Sequence, residues 1–159
     1  MDLVTRLPVK IWFAENPRAS DTRFEEDLLD LVSPKTLLLL DRGFDHFQFW
    51  QTLIAQGIDF ITRVKTNAAI EVQTTFTDSY GLRDHVIQIG SGTKKTPILT
   101  LRLIEIKVGK VWRSYLTSVL EPEVLPPYIV APFPERQRGS DQFFFDASSQ
   151  APLTTCLQA

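Results

Sequence analysis

Apolar positions change their spacing several times along the chain. After a turn at Leu7-Pro8, Val9 to Ala14 (VKIWFA) predicts a strand, with Leu3 to Arg6 as its hairpin partner, and Asn16-Pro17 breaks it. The next segment is helical in period. Asp21 or Thr22 can cap it, and Glu25 stands three residues beyond Thr22 as in a capping box. Phe24, Leu28, Leu31 and Val32 share one face, Glu25, Glu26, Asp27 and Asp30 fill the rest, and Pro34 ends the run. Thr36 to Leu40 (TLLLL) is apolar without alternation, the pattern of a strand buried on both faces in the middle of a parallel sheet. It stops at Asp41-Arg42-Gly43. Phe47, Trp50, Leu53 and Ile54 make a second helical face, with Gly57 placed as a C-terminal cap. Phe60 to Val64 (FITRV) predicts another strand. Helix, buried strand, helix and strand in that order predict an α/β fold.

Past Lys65 the helical period disappears. Ala69–Phe76, Val86–Ile89, Ile98–Val108 and Val111–Leu120 are rich in Ile, Val, Thr and Leu, with turns at Gly90-Ser91-Gly92-Thr93 and Gly109-Lys110. They predict an antiparallel β region inserted after the α/β core. From Pro132 neither period is sustained, although Phe143-Phe144-Phe145 stands within it, so residues 132–159 read as an irregular tail foreign to what precedes them. The expected division is 1–65 for the α/β core, 66–120 for the β-rich part and its return strand, 121–131 as a short continuation, and the tail.

Composition narrows the class. Of 159 residues, 43% are hydrophobic and 23% charged, as in ordinary globular domains. No apolar stretch approaches the ~20 residues of a membrane span, and the N-terminal MDLVTRLPVK lacks the pattern of a secretory signal. A single cysteine, Cys156, can form neither an internal disulfide nor a cysteine zinc site. A cytoplasmic location is expected. The net charge of −2 is uneven: six Lys/Arg against ten Asp/Glu in residues 1–59, nine against four in 60–118, and two against five in 119–159. A basic middle between acidic ends suits a confined contact with a polyanion, although charge also fluctuates along chains with no such partner.

Asp41 is the sharpest candidate for chemistry. It follows a buried strand at the carboxyl end, the edge where open α/β sheets collect ligands, and a carboxylate there suits Mg²⁺ or a similar hard cation. The same position also suits a helix cap, and both readings stay open. Arg63 and Lys65 are two apart on the following strand, so both can point to one face, beside Asp41 if the strands are parallel neighbours. Lys94 and Lys95, in the Gly-Ser-Gly-Thr turn, can reach a phosphate. His46 and His85 lie far from any second zinc-ligating residue; His46 suits a helix cap or a solvent-facing position. Cys156 has no basic neighbour to make it a nucleophile.

Four segments together resemble bacterial insertion-sequence DDE transposases of the type-four family: RASDTR (18–23), LLLLDRGF (37–44), GIDFITRVK (57–65) and SYLTSVLEPEVLP (114–126). The resemblance covers roughly three quarters of the chain and stops near Ala131. It implies a ribonuclease-H-like core, a mixed sheet flanked by helices with a β-rich insertion. It also implies terminal inverted repeats of double-stranded DNA as partner, and two Mg²⁺ or Mn²⁺ ions for cutting and rejoining DNA. By resemblance Asp41 is the second acid of the catalytic triad, and Arg63 and Lys65 lie near the DNA strand.

The sequence departs from that pattern. The first acid belongs on a strand upstream of this segment. The third belongs to Tyr-x-x-Arg-x-x-x-Glu, where this chain has Phe133, Arg136 and Ser140, with Pro134 inside the interval and Asp141 one residue late, ~100° around a helix. The expectation is a truncated, catalytically inactive remnant. A missing core strand would leave a sheet edge open to aggregation, to self-association or to an intact transposase. The competing readings are a non-catalytic DNA-binding or inhibitory module, and a phosphoryl-transfer domain with Asp41 as phosphate acceptor.

Overall fold

The computed structural model of the chain describes residues 8–11, 24–40, 44, 46–64, 70–130, 141–146 and 156–158. The chain builds, in order, β1 (Pro8–Ile11), α1 (Glu25–Leu31), β2 (Thr36–Leu40), α2 (Phe47–Ala55), β3 (Asp59–Arg63), β4 (Ile70–Asp78), β5 (Leu82–Ile89), β6 (Leu99–Val108), β7 (Val111–Thr117), α3 (Pro127–Val130), β8 (Asp141–Asp146) and β9 (Cys156–Gln158). The strands form one mixed sheet ordered β1-β9-β8-β2-β3-β7-β6-β5-β4. The α/β class expected from the sequence is what the chain adopts, and it is compatible with a partial ribonuclease-H-like core. β2 and β3 are parallel, with Leu40 opposite Thr62. The antiparallel ladder β4–β5–β6–β7 then joins β3 through the pair β3–β7.

Each face of the sheet carries its own core. On one face Leu38, Leu40, Phe60 and Val64 pack with Leu101, Leu103 and Leu116 against Leu28 of α1 and Phe49, Trp50 and Leu53 of α2. Trp50 stacks on Phe60 with ring centroids 5.7 Å apart. On the other face Leu37, Ile61, Ile104 and Tyr115 pack against Val119, Leu125 and Val130. TLLLL is therefore buried from both sides, because its alternate leucines serve different cores. Gly57, at φ +68°, ends α2 as expected, its N–H donating to the Ile54 carbonyl at 3.0 Å.

Thr62 departs from this apolar filling: it is 1% exposed, and its Oγ1 has no hydrogen-bond partner among the described residues. A buried hydroxyl left unbonded loses its hydration without compensation. Thr62→Val keeps the branched shape and removes the orphan. It is expected to raise the unfolding free energy by about 1 kcal/mol, read from urea denaturation.

The structure corrects two expectations. The tail is not wholly irregular: β8 pairs antiparallel with β2, Phe144 opposite Leu38, and β9 pairs with β8. Three consecutive phenylalanines favour extended backbone, but six residues of strand are lost in a period averaged over the whole tail. The side of β2 away from β3 is thus occupied rather than open. The N-cap of α1 is Phe24, and the Glu25 carboxylate faces His46 Nδ1 at 3.2 Å. The Leu3–Arg6 hairpin strand and the Asp21 or Thr22 cap fall outside the described residues.

Candidate nucleic-acid interface

The carboxyl ends of β2 and β3 finish side by side, since Leu40 pairs with Thr62. Asp41 follows Leu40 by one peptide bond; it and Lys65 lie outside the described residues. Arg63 closes β3 opposite Tyr115 of β7, and the same row continues through Ile104 of β6 to Asp84 of β5. Beyond that row, at the same end of the sheet, β7 and β6 carry residues 105–113.

This end is basic and aromatic. Lys107 pairs with Trp112 across β6 and β7, and Glu105 pairs with both Arg83 and Ser114. Strand alternation places Glu105 and Lys107 on the face that Leu101 and Leu103 occupy farther down, the α2 side. The Arg83 guanidinium lies 4.5 Å from the centroid of the Trp112 ring, and the Lys107 ammonium 3.8 Å from that of Tyr80. Glu105 is shared, accepting from Ser114 Oγ at 2.8 Å and facing Arg83 Nη1 at 3.7 Å. Tyr80 is 86% exposed. Spacing along one strand does not reveal this cluster, because its members come from three strands and from the β4–β5 turn. The charge tally placed an excess in the middle of the chain, and the hairpin register is the signal that resolves it.

Lys94 and Lys95 sit elsewhere. Their turn joins Ile89 to Leu99, at the opposite end of the β5–β6 pair from Arg63's row. Both are exposed. The turn closes on α2, where Gln48 Nε2 donates to the Lys94 carbonyl at 2.9 Å.

A buried ion pair holds the other face. Arg102 is fully buried. Its Nε and Nη2 donate to Asp84 Oδ1 and Oδ2 at 2.7 and 2.6 Å, and its Nη1 donates to the carbonyls of Leu125 and Glu121 at 2.9 and 3.3 Å. This clamps the turn at 121–125 onto the sheet. His46, the residue preceding α2, is tied to α1 by Glu25 rather than facing water alone. Burial pushes the Glu25 carboxyl above its ordinary value, and the hydrogen bond and charge of His46 pull it back only partly. The native state thus holds that proton more tightly than the unfolded chain. The stabilisation linked to it is complete below the ordinary value and is lost as pH rises through the shifted one. Glu25→Gln should lack this loss. Its stability relative to the parent, from urea midpoints between about pH 4 and about pH 7, is expected to rise with pH.

Among the described residues no group of three or more His, Cys, Asp or Glu side chains is placed to hold a metal ion. No helix among them is long and apolar enough to cross a membrane.

A mixed sheet with α1 and α2 on one face, the short α3 on the other and a long antiparallel extension defines an α/β domain whose basic edge lies beside the ends of its parallel strands. The chain belongs to the transposase DDE domain family, whose family model matches residues 1–133. No curated protein and no solved structure matches it. Domains of this family act in DNA transposition and generally use divalent metal ions.

Proposed function

We propose that the chain is a DNA-holding portion of an insertion-sequence transposase of the type-four family, a remnant that binds double-stranded DNA without cutting it. The observation that carries the reading is the shared end of the sheet. Arg63, then Arg83, Lys107 and Trp112, lie at the end where β2 leads into Asp41. Phosphates are held there by Arg and Lys, with release of counterions from the duplex. Lys65 belongs to the same segment by its place after Arg63. Lys94 and Lys95 supply a second contact from the far turn. The partner is terminal inverted-repeat DNA, with self-association or assembly with an intact transposase on it.

Asp41 remains the candidate ligand for Mg²⁺ or Mn²⁺. The described residues offer no set of ligands that fits a two-metal site, and Ser140 stands where the third acid is expected. The division into residues 1–65 as catalytic core and 66–120 as DNA-contacting extension belongs to this reading. The test is incubation with a duplex carrying the ends of the encoding element, with Mg²⁺ or Mn²⁺. Bound, intact DNA is the expected result. Strand cleavage would overturn the inactivity, and failure to bind at low salt would overturn the reading as a whole.

A further inference from the structure

α2 carries no charged residue, and its solvent side is a stripe of Gln48, Gln51, Ile54 and Ala55. Among the described residues the Gln51 amide has no hydrogen-bond partner, whereas Gln48 is spent on the Lys94 carbonyl. Between this stripe and the facing turn lies an open cleft of about 550 Å³, lined by Gln48, Gln51, Gly92, Thr93, Lys94, Pro97 and Ile98.

The turn is built to keep its shape. Gly90 has φ +119°, and a Cβ there would run into the Pro97 carbonyl. The hydroxyls of Ser91, Thr93 and Thr96 bond to one another, and Ser91 N–H donates to the Thr96 carbonyl at 3.1 Å. An ordered turn thus holds Lys94 and Lys95, neither with an acidic partner among the described residues, beside a free amide.

We propose that this cleft reads DNA sequence, with Gln51 hydrogen-bonding a base edge while Lys94 and Lys95 hold the adjoining phosphates. The inference rests on the DNA-binding reading above and assigns its specificity. A primary amide offers a donor and an acceptor side by side, the pair an adenine edge accepts and donates in the major groove. Unlike a lysine, it adds no charge that would bind every sequence alike. The spacing also fits. From Leu99 to Lys107 is eight residues of strand, roughly 27 Å, or about eight base pairs, between the cleft and the Arg83–Lys107–Trp112 cluster. Both surfaces lie on the α2 side of the sheet, so one duplex can run along β6 and touch both.

The experiment is selection from a pool of random-sequence duplexes by the full chain, by Gln51→Ala and by the double variant Lys94→Ala/Lys95→Ala. The parent is expected to enrich a motif, and Gln51→Ala to lose about tenfold of the preference at one base pair of it. The lysine variant should weaken all sequences alike and reduce the slope of log K against log salt by about 2. Enrichment of the same motif to the same degree by Gln51→Ala would overturn the readout. So would a parent that binds duplex but enriches nothing, and in that case the DNA-binding reading would stand. A parent that binds no duplex at low salt would remove both.

Discussion

Arg102→Ala is expected to lower the unfolding free energy by about 3–5 kcal/mol, the usual cost of leaving one partner of a buried ion pair uncompensated. Three things are lost together: two bonds to Asp84, the neutralising charge on that carboxylate, and the bonds to the Glu121 and Leu125 carbonyls. Asp84 is 1% exposed, so its carboxylate is left buried without the guanidinium. The double replacement Arg102→Met/Asp84→Leu is expected to cost less than Arg102→Ala alone, since it removes both charges and takes a partner only from the Leu125 carbonyl, the Glu121 carbonyl still accepting from the Val124 and Leu125 N–H groups. Chemical denaturation of the three proteins checks this. A single variant no less stable than the double one would show that the pair is not what holds the 121–125 turn. The turn matters for the second core, because Val119, Leu125 and Val130 reach Ile61, Ile104 and Tyr115 through it.

The largest functional effect is expected at the tip formed by β5, β6 and β7. Exchanging both Arg83 and Lys107 for Ala should weaken duplex binding at low salt at least about tenfold and flatten the salt dependence by about 2 in slope, as loss of two phosphate contacts does. Neither residue is buried in a core, so folding is expected to survive. Arg83 also pairs with Asp78 at 3.5 Å and with Glu105, but exposed pairs of this kind contribute little to stability. Titration of a fluorescent duplex at several salt concentrations reads both quantities. Unchanged affinity and slope would move the DNA contact away from this end of the sheet.

How far the sequence foretold this arrangement depends on the range over which each feature is decided. TLLLL announced a doubly buried strand because the absence of alternation is itself the signal, and the two cores divide its leucines as that pattern requires. α2 and its Gly57 terminus were legible for the same local reason. Glu25 was not, for its partner His46 lies 21 residues on and is brought near only by the packing of α1 beside α2. Arg102 was missed because an arginine between leucines in a strand reads as solvent-facing. Its burial is made possible by Asp84 on the neighbouring strand and by carbonyls some 20 residues later. β8 was missed because its partner, β2, lies about 100 residues earlier in the chain.

The candidate site shows the same division. Arg63 falls where two parallel strands end together, as its place on FITRV suggested. Arg83, Lys107, Trp112 and Tyr80 become one surface only through the β5–β6–β7 register, which charge and spacing along a single strand do not determine. Lys94 and Lys95, read as part of one DNA-binding set with Arg63, lie at the opposite end of the same hairpin. A single set thus becomes two surfaces along one strand.

The central claim, that this chain grips duplex DNA through its phosphates, is tested most directly by measuring its affinity for a duplex from about 50 to about 200 mM salt. The account predicts binding at the low end and a straight, steep fall of log K with log salt. Affinity that is absent at about 50 mM, or that does not change with salt, would contradict it.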